Sequence, residues 1–203
     1  QIESESELIR FAFGVAGTVG LLICPVLNVI DRRAFAFAVD LGIAFQLTNI
    51  AWDIGEDAER GRFYLPASWV RPEEIVRARS GQTEAVVKVD QAVEKLLNLA
   101  EDYYSSALSG MYFIPRRNRR AIFMATMLYR RIGRKLLERG SGAWRERIVV
   151  GGWEKAAAVL ASWPRYRRLK RGVWARAEPP VHASSLDARL KEAGIDLSAF
   201  SES

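Results

Sequence analysis

The sequence predicts an all-α protein, a bundle of helices packed around one core. Apolar residues recur at three- and four-residue spacing through most of the 203 residues, which is the period of an amphipathic helix. The sustained apolar–polar alternation typical of strands does not occur, and we find no internal repeat. With 49% hydrophobic residues, the chain is long and apolar enough to form one folded domain.

Glycine and proline clusters divide the chain into predicted helices. The predicted helices cover approximately residues 4–22, 31–57, 72–80, 83–109, 117–139 and 145–162. We assign residues 1–175 to the helical domain. After Pro179 and Pro180 the chain becomes polar, so we expect residues 176–203 to form a peripheral tail with a short helix.

The first predicted helix carries Gly14, Gly17 and Gly20 at three-residue spacing. Such glycines allow a neighbouring helix or a lipid chain to approach the backbone closely. They are not a dinucleotide-binding fingerprint, because no strand precedes them. Helix packing is the favoured interpretation.

The second predicted helix has a polar stripe made of Gln46, Asn49, Asp53 and Asp57. Spacings of three and four residues place these side chains on one face, with i,i+4 pairs about 6 Å apart along the axis. Two carboxylates and amide oxygens suit Mg²⁺, which commonly completes its shell with waters and substrate phosphates. A solvated helix face is the competing interpretation. Buried amides need partners, and a metal with its ligands would supply them.

Three sequence blocks carry a family resemblance. FQLTNIAWDIGEDAERGRFYLP covers residues 45–66, GVAGTVGLLICPVL covers 14–27, and YYSSALSGMYFIPRRNRRAIFMATMLYRRIG covers 103–133. They resemble the second aspartate-rich motif, the glycine-spaced pocket helix and a later arginine- and tyrosine-containing segment of the squalene/phytoene synthase family. The resemblance implies an isoprenoid synthase-type helical bundle with a central apolar pocket, here incomplete at the amino end.

The resemblance also implies roles for individual residues. Asp53 and Asp57 match the metal-binding aspartates and Asn49 the adjacent metal-site amide, with Mg²⁺ as the expected cofactor or Mn²⁺ in its place. Asp53, Asp57 and Tyr64 are the expected catalytic residues. Guanidinium and hydroxyl groups suit diphosphate oxygens. By motif position, the substrate-binding candidates are Gln46, Arg62, Tyr129 and Arg147.

The activity implied by the resemblance is the head-to-head condensation of two prenyl diphosphates. Its most direct form joins two molecules of geranylgeranyl diphosphate into phytoene and releases diphosphate, in carotenoid biosynthesis. The alternatives are a dehydrosqualene- or squalene-type synthase that uses farnesyl diphosphate, and a non-catalytic helical relative that acts in assembly. Allylic cations react with water, so the pocket must be dry. The candidate wall residues are Phe11, Phe13, Val15, Val19, Leu22 and Met124.

The sequence departs from the family pattern in three places, of which two, Trp52 and Phe11, favour the non-catalytic alternative. The family's earlier D-x-x-x-D motif does not occur in this sequence, and we expect truncation to explain this because the chain starts with Gln1. Trp52 stands where the family usually has an arginine, so an indole replaces a phosphate-binding cation. Phe11 stands where a tyrosine is usual. The retained Asn49 and the two aspartates favour the enzyme.

The single cysteine and the single histidine restrict the kinds of site that the chain can form. Cys24 is the one cysteine, which excludes a disulfide framework and suggests a small core residue in a reducing cytoplasm. His182, the one histidine, lies in a polar stretch, which argues against a histidine-based triad or a zinc site.

The net charge of +6 predicts an anionic partner. Basic residues concentrate at 116–135 and 165–171, which suits peripheral contact with anionic lipid headgroups. Nucleic acid is not expected, because no known nucleic-acid module accompanies these residues. No uninterrupted apolar run reaches the roughly 18 residues of a spanning helix, so we expect no membrane span.

Overall fold

The computed structural model describes residues 1–146 and 151–198, except for the side chain of Lys155, and this part of the chain contains helices and no strand. The eight α-helices of the described residues are α1 (Glu5–Ala12), α2 (Thr18–Val26), α3 (Ala34–Glu59), α4 (Pro72–Arg79), α5 (Thr83–Gly110), α6 (Arg116–Glu138), α7 (Gly152–Arg171) and α8 (Ser184–Glu192). Single turns of 3₁₀-helix at Met111–Phe113, Ala143–Arg145 and Val173–Ala175 link some of them. The all-α prediction is confirmed.

Two helical predictions differ from the structure. The first predicted helix is interrupted by a π-helical turn, Phe13–Gly17, which joins α1 to α2. The last one is predicted over residues 145–162, whereas α7 begins at Gly152 and continues through Pro164 to Arg171. Pro164 removes one helical hydrogen bond, and its exposed position leaves space for the ring outside the packed side of α7.

The 26-residue helix α3 is the centre of the fold. It packs against α2, α5 and α6, and its residues Ile43, Leu47 and Ala51 are fully buried. α3 and the Glu5–Val26 stretch both have the length and apolar content of a membrane-spanning helix. For α3, burial in the protein core accounts for that composition, whereas Leu22 and Val26 on α2 are exposed.

Glycines allow α3 to make direct backbone contact with α2 and with the π-helical turn before it. A Cβ atom on Gly20 would lie 2.2 Å from the Ala38 carbonyl oxygen, and one on Gly42 would lie 2.2 Å from the Ala16 carbonyl oxygen. The helix-packing interpretation is therefore confirmed for Gly20. It is wrong for Gly14, where an added Cβ would meet no atom within 4 Å.

The segment after Pro180 is not peripheral, in contrast to the prediction. Leu186, Leu190, Ala193 and Ile195 are buried in the same core as α3, and the Arg10 Nε donates a hydrogen bond of 2.7 Å to the Ala193 carbonyl oxygen. Leu186 and Leu190 are one turn apart on α8 and form its buried face, and Ala193 and Ile195 follow directly after the helix.

His182 connects this segment to α3. Its Nε2 lies 2.7 Å from Asp40 Oδ2, and its Nδ1 lies 2.7 Å from Asp187 Oδ1. Asp40 is completely buried, so His182 provides the counter-charge that a buried carboxylate requires. The histidine is thus a structural link between the carboxyl-terminal segment and α3. The sequence signal for this link was Asp40, a lone carboxylate within the apolar run FAFAVDLGIAF.

Candidate active site on the central helix

The polar stripe lies along the one accessible side of α3. Gln46, Asn49, Asp53 and Asp57 are all half-buried, while the neighbouring Ile50 is buried. Helical spacing therefore places the four side chains on one open face, as the sequence predicts. A packed helix with one polar, accessible side is the arrangement that a ligand site requires.

Asp53 and Asp57 form an electrostatically coupled carboxylate pair. Burial and the Asp53 charge raise the pKa of Asp57 above its ordinary value and outweigh the opposing charges of Arg62 and Arg60. Two carboxylates that repel one another, with the Asn49 oxygen one turn away, fit a hard divalent cation. Among the described residues, no cluster of three or more His, Cys, Asp or Glu side chains is placed to hold a metal ion. The two aspartates and Asn49 would therefore supply only part of the ligands that a metal ion needs.

The turn after α3 returns the chain to the acidic end of the stripe. Gly61 has φ of +68°, a conformation that favours glycine, and the Arg62 backbone N–H donates to the Asp57 carbonyl oxygen at 2.8 Å. Arg62 and Tyr64 then line a small cleft together with Asp57. The exposed Arg62 and the Tyr64 phenol thus lie near Asp57, where they could contact an anion bound at this end of the stripe.

Tyr64 and Tyr129 lie at opposite ends of the stripe. The Tyr64 ring stacks on Phe11 at 5.1 Å between centroids, and the Tyr129 ring on α6 stacks on Phe45 at 4.3 Å. Phe45 and Asp57 are twelve residues apart, about 18 Å along the helix axis. The structure therefore groups Arg62 and Tyr64 with Asp57, and Tyr129 with Phe45 and its neighbour Gln46. Arg147 lies outside the described residues.

An apolar cavity of about 220 Å³ begins at Phe45 and continues between α2, α3, α5 and α6. Its lining residues include Val19, Ile23, Leu27, Phe37, Ala38, Leu41, Phe45, Met111, Ile114 and Ile122. Phe45, which lines the cavity, lies one helical turn before Asn49, so the cavity and the polar stripe follow one another along the same helix. The expected central apolar pocket is present.

Of the six wall residues predicted from the sequence, one lines this cavity. Of the candidate walls, Val19 lines the cavity, whereas Val15 is about half exposed and Leu22 is exposed. Phe11 and Phe13 pack against the main core instead. The π-helical turn adds a residue to one turn of the helix, so positions before and after it do not share the face that a regular helix would give.

Comparison with known proteins agrees with this architecture. Residues 1–154 match the family model of squalene/phytoene synthases. The chain is 40% identical over 156 residues to the 15-cis-phytoene synthase of Enterobacter agglomerans, an alignment covering 77% of this chain and 53% of that protein. It is 36% identical to the phytoene synthase of Thermus thermophilus, covering 77% of this chain and 53% of that protein.

A solved structure shows the same fold. The crystal structure of a dehydrosqualene synthase in complex with a ligand superposes with a TM-score of 0.65 at 25% identity, covering 82% of this chain and 59% of that one. The chain spans about half the length of the curated relatives that it matches. Its sequence blocks, helical bundle and matched residues agree: the chain belongs to the squalene/phytoene synthase family.

Proposed function

We propose that this chain takes part in the Mg²⁺-dependent head-to-head condensation of two prenyl diphosphates, with geranylgeranyl diphosphate as substrate and phytoene as product. The observation that carries the proposal is that the half-buried Asn49–Asp57 stripe begins one helical turn after Phe45, which lines the apolar cavity. A prenyl diphosphate has the same two parts, a charged end and an apolar chain. Relatives named 15-cis-phytoene synthase support the choice of substrate.

The residues of this chain would perform three tasks in that reaction. Arg62 and Tyr64 would donate hydrogen bonds to the diphosphate and orient it at the acidic end of α3. Mg²⁺, or Mn²⁺, held by Asn49, Asp53 and Asp57 would stabilise the negative charge that develops on the leaving diphosphate. The apolar cavity would exclude water from the allylic cation, which water would otherwise trap.

Two alternative functions have specific support. A dehydrosqualene- or squalene-type synthase using farnesyl diphosphate is favoured by the similarity to a dehydrosqualene synthase structure. A non-catalytic role in assembly is favoured by Trp52, which lies on the accessible side of α3 where the family usually has a cation. Incubation with Mg²⁺ and either farnesyl or geranylgeranyl diphosphate, followed by hydrocarbon analysis, distinguishes the three.

Cytoplasmic location with peripheral contact to an anionic membrane is part of the same proposal. Exposed arginines at the start of α6 and on α7 support it, among them Arg117 and Arg168. Trp153, which is 92% exposed, adds an aromatic ring of the kind that is enriched at membrane–water interfaces. Lipid substrates would then reach the cavity from the membrane surface.

Asp53→Asn is expected to weaken the binding of Mn²⁺ with inorganic pyrophosphate at least tenfold, which corresponds to about 1.4 kcal/mol. The substitution removes one of the two carboxylate charges while it keeps the shape of the side chain. Isothermal titration of pyrophosphate in the presence of Mn²⁺ measures the change. Glu59→Gln is the matched control, because Glu59 is exposed at the end of the same helix and pairs with Arg79. Equal affinities in the two variants contradict the metal assignment.

Trp52→Arg is expected to raise pyrophosphate affinity several-fold. Trp52 is half-buried and packs against the core from the accessible side of α3, between Asn49 and Asp53 in sequence, so a guanidinium there adds a cation beside the stripe. Trp52→Leu, which removes the indole without adding charge, is the control. The same titration detects the difference. Unchanged affinity in the arginine variant shows that the missing cation does not limit the site.

A further inference from the structure

Phe37 forms a wall between two spaces in the protein. On one side it lines the apolar cavity that begins at Phe45. On the other side it lines a separate cleft of about 350 Å³ between the start of α3 and the carboxyl-terminal segment. Its side chain is only 4% exposed, so the ring fills the position where the two spaces meet.

The Phe37 ring is held in place from several directions. The His182 ring meets it edge-on with 5.1 Å between centroids, and the Phe113 ring lies 5.8 Å away. Gly110 at the end of α5 touches it closely, because a Cβ atom at that position would lie 2.1 Å from Phe37 Cβ. The ring therefore has little freedom to turn out of the cavity.

The contact with His182 makes the carboxyl-terminal segment a part of this wall. Hydrogen bonds to Asp40 and Asp187 fix the histidine ring. His182 lies beyond residues 1–154, the part of the chain that matches the family model. The closed end of the cavity thus depends on a segment outside that match.

We propose that Phe37, supported by His182, closes the apolar cavity on the side that faces this cleft and limits the length of the prenyl chain that the site accepts. This proposal rests on the proposed function. Phe37 and Phe45 are eight residues apart, which places Phe37 about 12 Å along α3 from Phe45, the residue where the cavity begins. Beyond Phe37, the cleft is lined partly by Val181, Leu190 and Ile195, which are apolar and can accommodate further methylene groups.

Removal of the ring should join the two spaces. Phe37→Ala is expected to bind geranylfarnesyl diphosphate, which has five more carbons than geranylgeranyl diphosphate, at least tenfold more tightly than the unmodified protein does, in the presence of Mg²⁺. Phe35→Ala is the matched control, since this half-buried phenylalanine lines neither space. Phe37→Leu, a smaller loss of volume, is included in case the alanine variant fails to fold and is expected to give an intermediate shift.

A second assay separates this proposal from the proposed function. Displacement of a fluorescent apolar probe by alkan-1-ols of increasing length measures where binding stops, without any diphosphate. A cut-off that moves to longer alkanols in the Phe37 variants, and stays unchanged in Phe35→Ala, supports the proposal. An unchanged cut-off in folded Phe37 variants overturns it. A shifted cut-off with no binding of either prenyl diphosphate contradicts the proposed function and leaves Phe37 as the end wall.

Discussion

Replacement of His182 by alanine is expected to lower the free energy of unfolding by about 3–5 kcal/mol, since it leaves a buried charge without its partner. Asp40 is completely buried, and the His182 ring is its hydrogen-bonded counter-charge at 2.7 Å. The loss should be larger than that of an ordinary surface ion pair, which contributes about 0–1 kcal/mol. Urea denaturation followed by circular dichroism measures it.

Two further variants determine whether the buried charge is the cause. Asp187→Asn is expected to cost about 1 kcal/mol or less, because the Asp187 side chain is 45% exposed and water can replace its contact. The double variant Asp40→Leu with His182→Leu is expected to recover part of the lost stability, since it removes the buried charge together with its partner. If His182→Ala unfolds at the same urea concentration as the unmodified protein, the proposed link does not stabilise the fold.

The pH dependence of stability gives an independent test of the same link. Burial by itself would lower the pKa of His182, but hydrogen bonds and charge interactions with Asp40 and Asp187 raise it above 6.5. Burial raises the pKa of Asp40, and this outweighs its interaction with His182. The native state therefore binds protons more tightly than the unfolded state, so stability falls as pH rises. The His182 contribution is complete below pH 6.5 and is lost as pH rises through the raised pKa, and His182→Ala should lack this slope.

The sequence predicts the local structure of the site well, because helical periodicity is a local property. The bounds of α3, which begins at Ala34 and ends at Glu59, agree with the predicted helix to within about three residues. The placement of Gln46, Asn49, Asp53 and Asp57 on one accessible face follows from the 3.6-residue repeat alone.

Contacts between helices could not be predicted in the same way. The stacking of Tyr129 on Phe45 joins α6 to α3, and spacing within either helix carries no information about it. The π-helical turn Phe13–Gly17 changes which side chains of this stretch face the cavity, and the sequence pattern does not distinguish such a turn from α-helix. The prediction that the carboxyl-terminal segment is peripheral was wrong, because its four core residues are dispersed among polar ones. The isolated Asp40 in an apolar helix was the available signal that a distant partner exists.

Gly42→Ala is expected to cost about 3 kcal/mol, at the upper end of the range for overpacked cores. The added Cβ would lie 2.2 Å from the Ala16 carbonyl oxygen and 2.8 Å from the Gly17 Cα. Both are backbone atoms, so no side chain can rotate away and the helices themselves must separate. Gly14→Ala is the matched control, as nothing lies within 4 Å of its added Cβ, and it should be neutral or stabilising by up to about 1 kcal/mol.

This pair of variants also tests what the glycines contribute to the site. Gly42 lies on α3 between Phe37 and Phe45 and lines the apolar cavity, as Gly20 does on α2. If direct backbone contact sets the width of the cavity, Gly42→Ala should weaken the binding of long alkan-1-ols as well as lowering stability, and Gly14→Ala should do neither. A variant that binds alkanols normally but unfolds more easily would show that the cavity can widen without the contact. Equal stability of the two variants would contradict the close approach of the Phe13–Gly17 turn to α3.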